Sequence, residues 1–256
     1  MPTPSDMLDF DLNSEPTGRP ALLIHALLGH RGLMNDLAEF WRSEYGSTLC
    51  VDLPGHGNSP MPTHAISIEA SAAAIGEVLD HTGLEKPVLI GHSMGGLVAL
   101  ELAAQRPDEV AGVILMDPAP IILDPETREG WGGLLEMLKG EAYQDAKQIL
   151  IDAQSGPFDN QAAAAARAEL MQKIAPESLI QSFGSMLDWS GESTLAKVTV
   201  PVAGFWSGRN GEPDALLEHK PEAMIGQVIA SGHYVHLEAT EQIQAMIKRC
   251  MQAWKL

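Results

Sequence analysis

The sequence predicts an α/β protein in which a mostly parallel sheet is covered by helices on both faces. Six short apolar runs recur along the 256 residues, and most of them are separated by segments with helical spacing. Because these runs are apolar throughout rather than alternating, they are typical of strands that are buried on both faces of a parallel sheet. A further segment, LDFDL (8–12), is expected to add a leading edge strand. The six predicted strands are ALLI (21–24), TLCV (48–51), VLI (88–90), GVILM (112–116), VAGF (202–205) and QVIA (227–230).

Helical spacing between the predicted strands is clearest at two places. Ile68, Ala72, Ile75 and Leu79 step by four, three and four residues, which predicts a helix that ends at Gly83. Near the carboxyl end of the sequence, one apolar face predicts a closing amphipathic helix. The residues of that face are Ile243, Met246, Ile247, Cys250 and Trp254.

One region interrupts the alternation of strands and helices. Between about residues 121 and 196 the sequence has no strand-like run, only helix-prone segments that Pro157 and Pro176 separate. We therefore expect a core made of residues 1–120 and 197–256, with a helical cap inserted over residues 121–196.

Composition and charge argue against several classes of protein. The chain has 34 acidic and 16 basic residues, a formal net charge of −18. This charge repels phosphate backbones and anionic lipids, so neither nucleic acid nor membrane is an expected partner. The sequence shows no apolar run of transmembrane length and no signal-peptide pattern, so we expect a cytoplasmic protein. Cys50 and Cys250 are expected to be small buried groups rather than redox or metal-binding residues.

The segment VLIGHSMGGLV (88–98) places a single serine between a predicted strand and a predicted helix. Ser93 has Gly91 two positions before it and Gly95 two positions after it, which gives the pattern Gly-x-Ser-x-Gly. In this strand–turn–helix setting the pattern predicts a nucleophile elbow, in which a strained backbone exposes the serine hydroxyl above the sheet. The helix N-terminus that follows stabilises negative charge, which suits attack on a carbonyl. The structural alternative is a serine that only caps the helix.

Together with the serine turn, three further segments resemble the α/β-hydrolase superfamily in content and in order. HALLG (25–29) is similar to the family's His-Gly-x-x-Gly segment, and DLPGHGNS (52–59) is similar to its Asp-x-x-Gly-x-Gly-x-Ser segment. GHYVHLE (232–238) resembles the segment that carries the family's histidine. The resemblance spans about residues 19–120 and 198–256, and it implies an α/β-hydrolase fold with a helical cap.

The resemblance implies that His233 is the base that takes the proton from the hydroxyl of Ser93. His233 follows Gly232 after the last predicted strand, which matches the position of the family's base. His236 is the competing candidate, and we expect it to pack or hydrogen-bond locally. Three other histidines near the motifs, His25, His56 and His92, are expected to be structural. His30 is expected either to line the pocket entrance or to be a solvated loop residue.

Two backbone amides are expected to stabilise the oxyanion. One is that of Met94, directly after the nucleophile, and the resemblance places the other at Leu27. The pair before Leu27 is His25-Ala26, where the family usually has His-Gly. Alanine fits there at little cost only if its backbone keeps a negative φ.

The carboxylate that would orient His233 is left open by the sequence. The family usually carries an Asp in a Gly-x-x-Asp pattern after the next-to-last strand, but the residue three positions after Gly208 is Gly211. Asp117 follows the strand after the elbow, where some family members carry their acid, and it is the first choice. The alternatives are Glu212, Asp214 and the absence of any acid.

These features predict a serine hydrolase that cleaves a small, largely apolar carboxylic ester, thioester or lactone through an acyl-enzyme on Ser93. His233 is the expected general base, and apolar residues of the cap are expected to line part of the pocket. The sequence shows no metal or cofactor pattern, and the expected partner is a small-molecule substrate. One alternative is a cofactor-free C–C hydrolase, lyase or oxygenase that uses His233 as its base. A second alternative is a hydrolase-like binding module without activity.

Overall fold

One seven-stranded sheet organises the part of the chain that the structure describes. The structure is a computed structural model, and it describes residues 7–154, 156, 158, 161–207 and 213–256. The strand order is β1-β3-β2-β4-β5-β6-β7, with β1 antiparallel to β3 and the other pairs parallel. The predicted α/β-hydrolase fold is confirmed. The strands are β1 (Phe10–Asn13), β2 (Ala21–Ile24), β3 (Thr48–Val51), β4 (Val88–His92), β5 (Gly112–Met116), β6 (Val202–Trp206) and β7 (Met224–Gln227).

Helices connect most of these strands. Within the described residues there are eleven α-helices and one short 3₁₀ helix, Arg31–Met34. None of the helices in this part of the chain has the length and apolar character needed to cross a bilayer. The α-helices are α1 (Asn35–Glu44), α2 (Ile68–Thr82), α3 (Met94–Gln105), α4 (Pro125–Lys139), α5 (Tyr143–Asp152), α6 (Gln161–Met171), α7 (Pro176–Asp188), α8 (Gly191–Leu195), α9 (Asp214–His219), α10 (Val235–Glu238) and α11 (Thr240–Trp254).

The five inner strands of the sheet are buried on both faces. Consecutive side chains of a strand point to opposite sides, so each strand contributes to an apolar cluster on either face. Leu22 and Ile24 of β2 belong to an apolar cluster that includes residues of α2 and α3. Leu23 of the same strand belongs to a second cluster, which includes residues of α1 and α11. This arrangement explains why the central strands are apolar throughout.

One predicted strand is wrong by three residues. The structure places β7 at Met224–Gln227 and not at QVIA (227–230), and its residues are alternately half-buried and exposed. An edge strand with one solvent-facing side lacks the continuous apolar run by which the inner strands are recognised. The apolar run lies mostly beyond the strand, where Ile229 is 72% exposed and Ala230 has a φ of 56°.

Five helices, α4 to α8, lie between β5 and β6, and we call them the helical insertion. A buried carboxylate of α3 anchors its end: Glu101 accepts hydrogen bonds from Trp189 Nε1 (2.9 Å) and Thr194 Oγ1 (2.6 Å). Burial alone would raise the pKa of Glu101, but hydrogen bonds from Thr194, Trp189 and Gln105 hold it below its usual value. The insertion is therefore tied to the helix that begins at Ser93. That residues 121–196 form a separate cap stays a prediction.

Candidate active site

Ser93 lies in a strained turn between β4 and α3. Its φ is 53° and its ψ is −121°, a conformation that residues other than glycine rarely adopt. The Ser93 N–H donates to the carbonyl of Met116 (3.1 Å), which fastens the turn to the end of β5. Ser93 is partly exposed, whereas His92 and Met94 on either side are buried. The backbone is that of a nucleophile elbow.

Both glycines of the elbow are required by close main-chain packing. A Cβ on Gly91 would lie 2.2 Å from the carbonyl oxygen of Gly95. A Cβ on Gly95 would lie 2.5 Å from the carbonyl oxygens of Ile24 and His25. These distances are far shorter than any van der Waals contact, so no other residue fits without moving the main chain. The same contacts hold the loop after β2 against the start of α3.

His233 is hydrogen-bonded to Asp117 at the carboxyl edge of the sheet. His233 Nδ1 lies 2.7 Å from Asp117 Oδ2, and both side chains are buried. Because a carboxylate oxygen accepts, Nδ1 carries the proton, which leaves Nε2 as the proton-accepting nitrogen. The second carboxylate oxygen of Asp117 accepts the N–H of Ser207 (2.8 Å). The Asp117 N–H donates to Phe205 (2.7 Å), so the acid is fixed to the end of β6 as well.

The loop that carries His233 is fastened to the elbow by His92. His92 Nε2 donates to the carbonyl oxygen of His233 (2.9 Å), and the two rings lie 4.6 Å apart between centroids. Since His92 directly precedes Ser93, this bond brings the histidine loop to the nucleophile turn. The turn at Ser93 and the His233–Asp117 pair thus lie at the same edge of the sheet, although 140 positions separate Ser93 and His233 in sequence.

The two amides expected to form the oxyanion hole lie in segments that pack together. Met94 is the first residue of α3, and Leu27 lies in the loop that follows β2. Ala26 keeps a negative φ, so the alanine in place of the family's glycine introduces no strain; the positive φ of this loop falls on Leu28, at 63°. The oxyanion role of Met94 and Leu27 stays a prediction.

Comparison with known proteins supports the family that the motifs suggested. Residues 20–240 match the α/β hydrolase fold family. The chain belongs to this family. It is 28% identical over 250 residues to a Haemophilus influenzae protein assigned as an esterase/lipase, an alignment that covers 89% of this chain and 81% of that protein. It is 27% identical over 230 residues to a pimeloyl-[acyl-carrier protein] methyl ester esterase of Chromobacterium violaceum, covering 84% and 87% of the two chains.

A solved structure shows the same fold. A thermophilic esterase from Thermogutta terrifontis superposes on this α/β hydrolase with a TM-score of 0.81 and 22% sequence identity. The match covers 96% of this chain and 94% of that one. At this level of identity the likeness concerns the fold.

Two histidines of this hydrolase hold loops together, as the sequence predicts. His25 Nδ1 donates to Ala26 O (2.7 Å), and its Nε2 accepts the N–H of Leu53 (3.0 Å), so it joins the loops after β2 and β3. His56 Nδ1 donates to Pro54 O (3.0 Å). Burial lowers the pKa of both imidazoles, that of His25 well below its usual value. Both rings are therefore neutral structural groups.

The remaining histidines also have structural contacts. His30 Nδ1 accepts the N–H of Gly32 (3.1 Å) and caps the 3₁₀ helix. His236 Nε2 donates to Leu33 O (3.1 Å), a partner that is distant in sequence and not local as expected. Burial lowers the pKa of His92 well below its usual value and that of His236 to about 4. Within the described ranges, no group of three or more His, Cys, Asp or Glu side chains could hold a metal ion.

His30 does line a cavity, but this cavity is separate from the candidate site. The cavity has a volume of about 650 Å³ and lies between the loop 29–32, the segment that follows β3, and the junction of α6 and α7. The residues that line it do not include Ser93, His233 or Asp117. A role for His30 at the entrance of the substrate pocket stays a prediction.

The structure describes only one of the two alternative acids, Asp214. Asp214 is the first residue of α9, at the amino end of that helix. Glu212 lies outside the described residues. Since the Nδ1 of His233 is already bonded to Asp117, the geometry favours Asp117 as the orienting acid.

One pair of site residues was not recognised from the sequence. Arg167 stands in the sequence as an isolated cation that could bind an anionic substrate, yet its guanidinium lies 3.5 Å from Glu238 and both side chains are buried. The two residues are 71 positions apart and belong to no motif. No local signal in the sequence identifies this ion pair.

Proposed function

We propose that this protein is a carboxylic ester hydrolase that forms an acyl-enzyme on Ser93. The observation that carries the proposal is the 2.7 Å hydrogen bond between His233 and Asp117, in a loop that His92 fastens to a strained serine elbow. Nucleophile, base and orienting acid are the three parts that acyl transfer requires. The esterase and lipase names of the relatives support the same class of reaction.

In the proposed reaction His233 acts first as a base and then as an acid. Nε2 takes the hydroxyl proton of Ser93 as Oγ forms a bond to the carbonyl carbon of the ester. The carbonyl oxygen becomes an oxyanion, which the amides of Met94 and Leu27 stabilise. Its collapse breaks the bond to the leaving alcohol, which receives the proton from His233. A water molecule, which gives its proton to His233, then attacks the carbonyl carbon of the acyl-enzyme. Collapse of the second oxyanion releases the carboxylic acid, and His233 returns the proton to Ser93.

Asp117 has two tasks in this mechanism. Its hydrogen bond holds His233 in the tautomer whose Nε2 can accept a proton. Its buried carboxylate also stabilises the imidazolium that forms in each half of the reaction. Ser207 and His233 both donate to its oxygens, which fixes the carboxylate in place for both tasks.

The preferred substrate in this proposal is a small, largely apolar ester, thioester or lactone. The helical insertion supplies apolar and aromatic side chains, among them Trp131 and Phe183, whose rings lie 5.3 Å apart between centroids. Phe183, Met186 and Trp189 of the insertion are buried, whereas Phe158 is 59% exposed. The net charge of −18 disfavours polyanionic substrates.

Hydrolysis of short p-nitrophenyl esters by the Ser93→Ala variant tests the proposal. We expect kcat/KM to fall by about 10³-fold or more, because the nucleophile is removed while the binding site remains. Ser43→Ala, on α1 at the opposite face of the sheet, is the control and should hydrolyse the esters normally. Full turnover by Ser93→Ala would show that Ser93 is not the nucleophile and would favour chemistry in which His233 acts alone as the base.

A further inference from the structure

A buried ion pair joins the helical insertion to the loop that carries His233. Arg167 belongs to α6, and Glu238 is the last residue of α10. Arg167 Nη2 lies 3.5 Å from Glu238 Oε1, and the two side chains are 8% and 5% exposed. A carboxylate buried to this degree is stable only if a cation and hydrogen-bond donors compensate for its lost hydration.

Glu238 holds the main chain immediately before His233. Its Oε2 accepts a hydrogen bond from the N–H of Gly232 and another from the hydroxyl of Ser231 (3.1 Å). The same carboxylate therefore contacts Arg167 through one oxygen and the histidine loop through the other. Arg167 and the residue next to His233 are therefore joined through one side chain.

The insertion also holds the residue immediately after His233. Tyr234 is fully buried, and its hydroxyl donates to Gln154 Oε1 (2.7 Å) just beyond the end of α5. The guanidinium of Arg167 lies over the Tyr234 ring, 4.5 Å from the centroid. Arg167 therefore contacts both Glu238, which binds the N–H of Gly232, and the ring of Tyr234. Gly232 and Tyr234 are the residues on either side of His233 in sequence.

On the other side His233 is held by the sheet. His92 donates to its carbonyl oxygen, and Asp117 accepts from its Nδ1. The base is therefore clamped between the ends of β4 and β5 and the helical insertion. Among the residues that the structure describes, the charged and titratable groups found around it are Asp117, His92, Tyr234, His236, Glu238 and Arg167.

We infer that Arg167 and Glu238 are positioning residues, which act through the His233 loop and set the place of the base relative to Ser93. This inference rests on the proposed function, because it assigns His233 the role of base. Loss of either partner removes charge compensation from a buried group, and such a loss favours a shift of the loop that increases its hydration. A displacement of about 1 Å at a catalytic group can cost up to about 10²-fold in rate.

The test compares Arg167→Gln, Glu238→Gln and the double variant in ester hydrolysis. We expect each single variant to lose about 10-fold or more in kcat with little change in KM, because the base is displaced and not the binding surface. The double variant should recover part of the loss, since two glutamines form a neutral hydrogen-bonded pair. Arg167→Lys, which keeps the charge, should also retain more activity than Arg167→Gln.

The pH–rate profile separates positioning from a general loss of stability. In Arg167→Gln the loss of a positive charge near His233 favours a protonated imidazole, so the acidic limb should move to higher pH. In Glu238→Gln the loss of a negative charge favours the neutral imidazole, so the limb should move to lower pH. The double variant should return toward the profile of the unaltered protein. If Arg167→Gln does not fold, Glu238→Gln and the double variant provide the same comparison.

Arg106→Gln is the matched control, because Arg106 pairs with Asp80 at the end of α3 remote from Ser93. It removes an arginine ion pair and should leave the pH–rate profile unchanged. The inference is overturned if the unaltered protein hydrolyses esters while the single variants keep its kcat, or lose activity with the acidic limb in place. An unaltered protein that hydrolyses no ester would instead count against the proposed function.

Discussion

Two residues of the site, Ser93 and Asp117, have a positive φ, a backbone conformation that is unfavourable for residues other than glycine. Their φ angles are 53° and 40°. Such conformations cost of order 1–3 kcal/mol each and persist only where the surroundings enforce them. Main-chain hydrogen bonds to Met116 and Phe205 provide that constraint here. At Asp117 the strained turn places the carboxylate on His233, and at Ser93 it leaves the residue partly exposed between two buried neighbours.

Asp117→Asn should lower kcat by about 10⁴-fold without comparable effect on KM, by analogy with the orienting acid of serine proteases. An amide at this position can donate to Nδ1, and His233 then carries its proton on Nε2, where it cannot accept one from Ser93. Ester hydrolysis by purified protein measures the effect. Asp108→Asn, at an exposed position, is the control. A kcat within about threefold of the unaltered value would show that another acid orients His233.

Gly95→Ala should lower both activity and melting temperature. The added Cβ would lie 2.5 Å from two main-chain oxygens of the loop that carries Leu27, so the loop must move. Gly133→Ala in α4 is the control, because no atom lies within 4 Å of its added Cβ. That change should stabilise the protein by about 0.5–1 kcal/mol, since alanine favours a helix. Thermal unfolding and ester turnover of both variants measure the outcome, and normal turnover by Gly95→Ala would contradict the packing described.

At the scale of elements, the helical insertion and the sheet share one apolar cluster. Leu138, Phe183 and Met186 of the insertion lie in the same cluster as Leu97 of α3. Glu101 adds a buried polar connection from α3 to α8 and its preceding turn. The helix that follows Ser93 is therefore packed against the insertion along one side.

Glu101→Ala should lower the free energy of unfolding by about 3 kcal/mol. The change leaves Trp189 Nε1 and the Thr194 hydroxyl without their acceptor, and each unsatisfied buried donor costs about 1–3 kcal/mol. Urea unfolding followed by tryptophan fluorescence measures the loss. Glu39→Ala, exposed on α1, should change stability by less than about 0.5 kcal/mol. Equal stability of the two variants would exclude Glu101 as an anchor of the insertion.

The elements differ in how well the sequence predicts them. The helix with apolar residues from Ile68 to Leu79 is confirmed as Ile68–Thr82, and Gly83 ends it with a φ of 65°. The inner strands lie where the sequence predicts them. Burial on both faces requires continuous apolar residues, and this run is easy to recognise in the sequence. β7 was misplaced because an edge strand has no such requirement. The elbow was predicted from the spacing of Gly91 and Gly95 around Ser93. In the structure the main chain passes so close to both glycines that a Cβ would overlap it.

The site as a whole was predicted less completely than the fold. Ser93 and His233 belong to recognisable segments. Asp117 was favoured because the usual position of the acid holds glycine and because some family members carry their acid after the strand that follows the elbow. Arg167 and Glu238 come together through the tertiary structure alone, so no pattern along the chain indicates their pairing. Contacts of this kind depend on how the insertion docks, which local sequence does not encode.

At the scale of the whole molecule, buried neutral histidines should make the fold sensitive to acid. Burial lowers the pKa of His25, His56, His92 and His236 in the folded state. In the unfolded chain these groups take up protons below about pH 6.5, so the unfolded state binds more protons and stability falls as the pH falls. For His236, with a pKa of about 4, the loss amounts to about 3 kcal/mol once the pH is below 4.

Urea unfolding at several pH values between 8 and 4.5 checks this dependence. We expect a constant free energy of unfolding above pH 7 and a progressive decrease between about pH 6.5 and 4.5. His64→Gln, at an exposed position, should leave the slope unchanged. A free energy of unfolding that stays level from pH 7 to pH 5 would show that these histidines are not held neutral.

The most direct measurement is fluorophosphonate labelling of the unaltered protein followed by peptide mapping, in parallel with ester hydrolysis. Because a fluorophosphonate reacts with a serine that an adjacent base activates, we expect one adduct on the peptide that contains Ser93, and loss of hydrolysis in proportion to labelling. Ester hydrolysis that continues while Ser93 stays unmodified, or an adduct on a different residue, would contradict nucleophilic catalysis by Ser93.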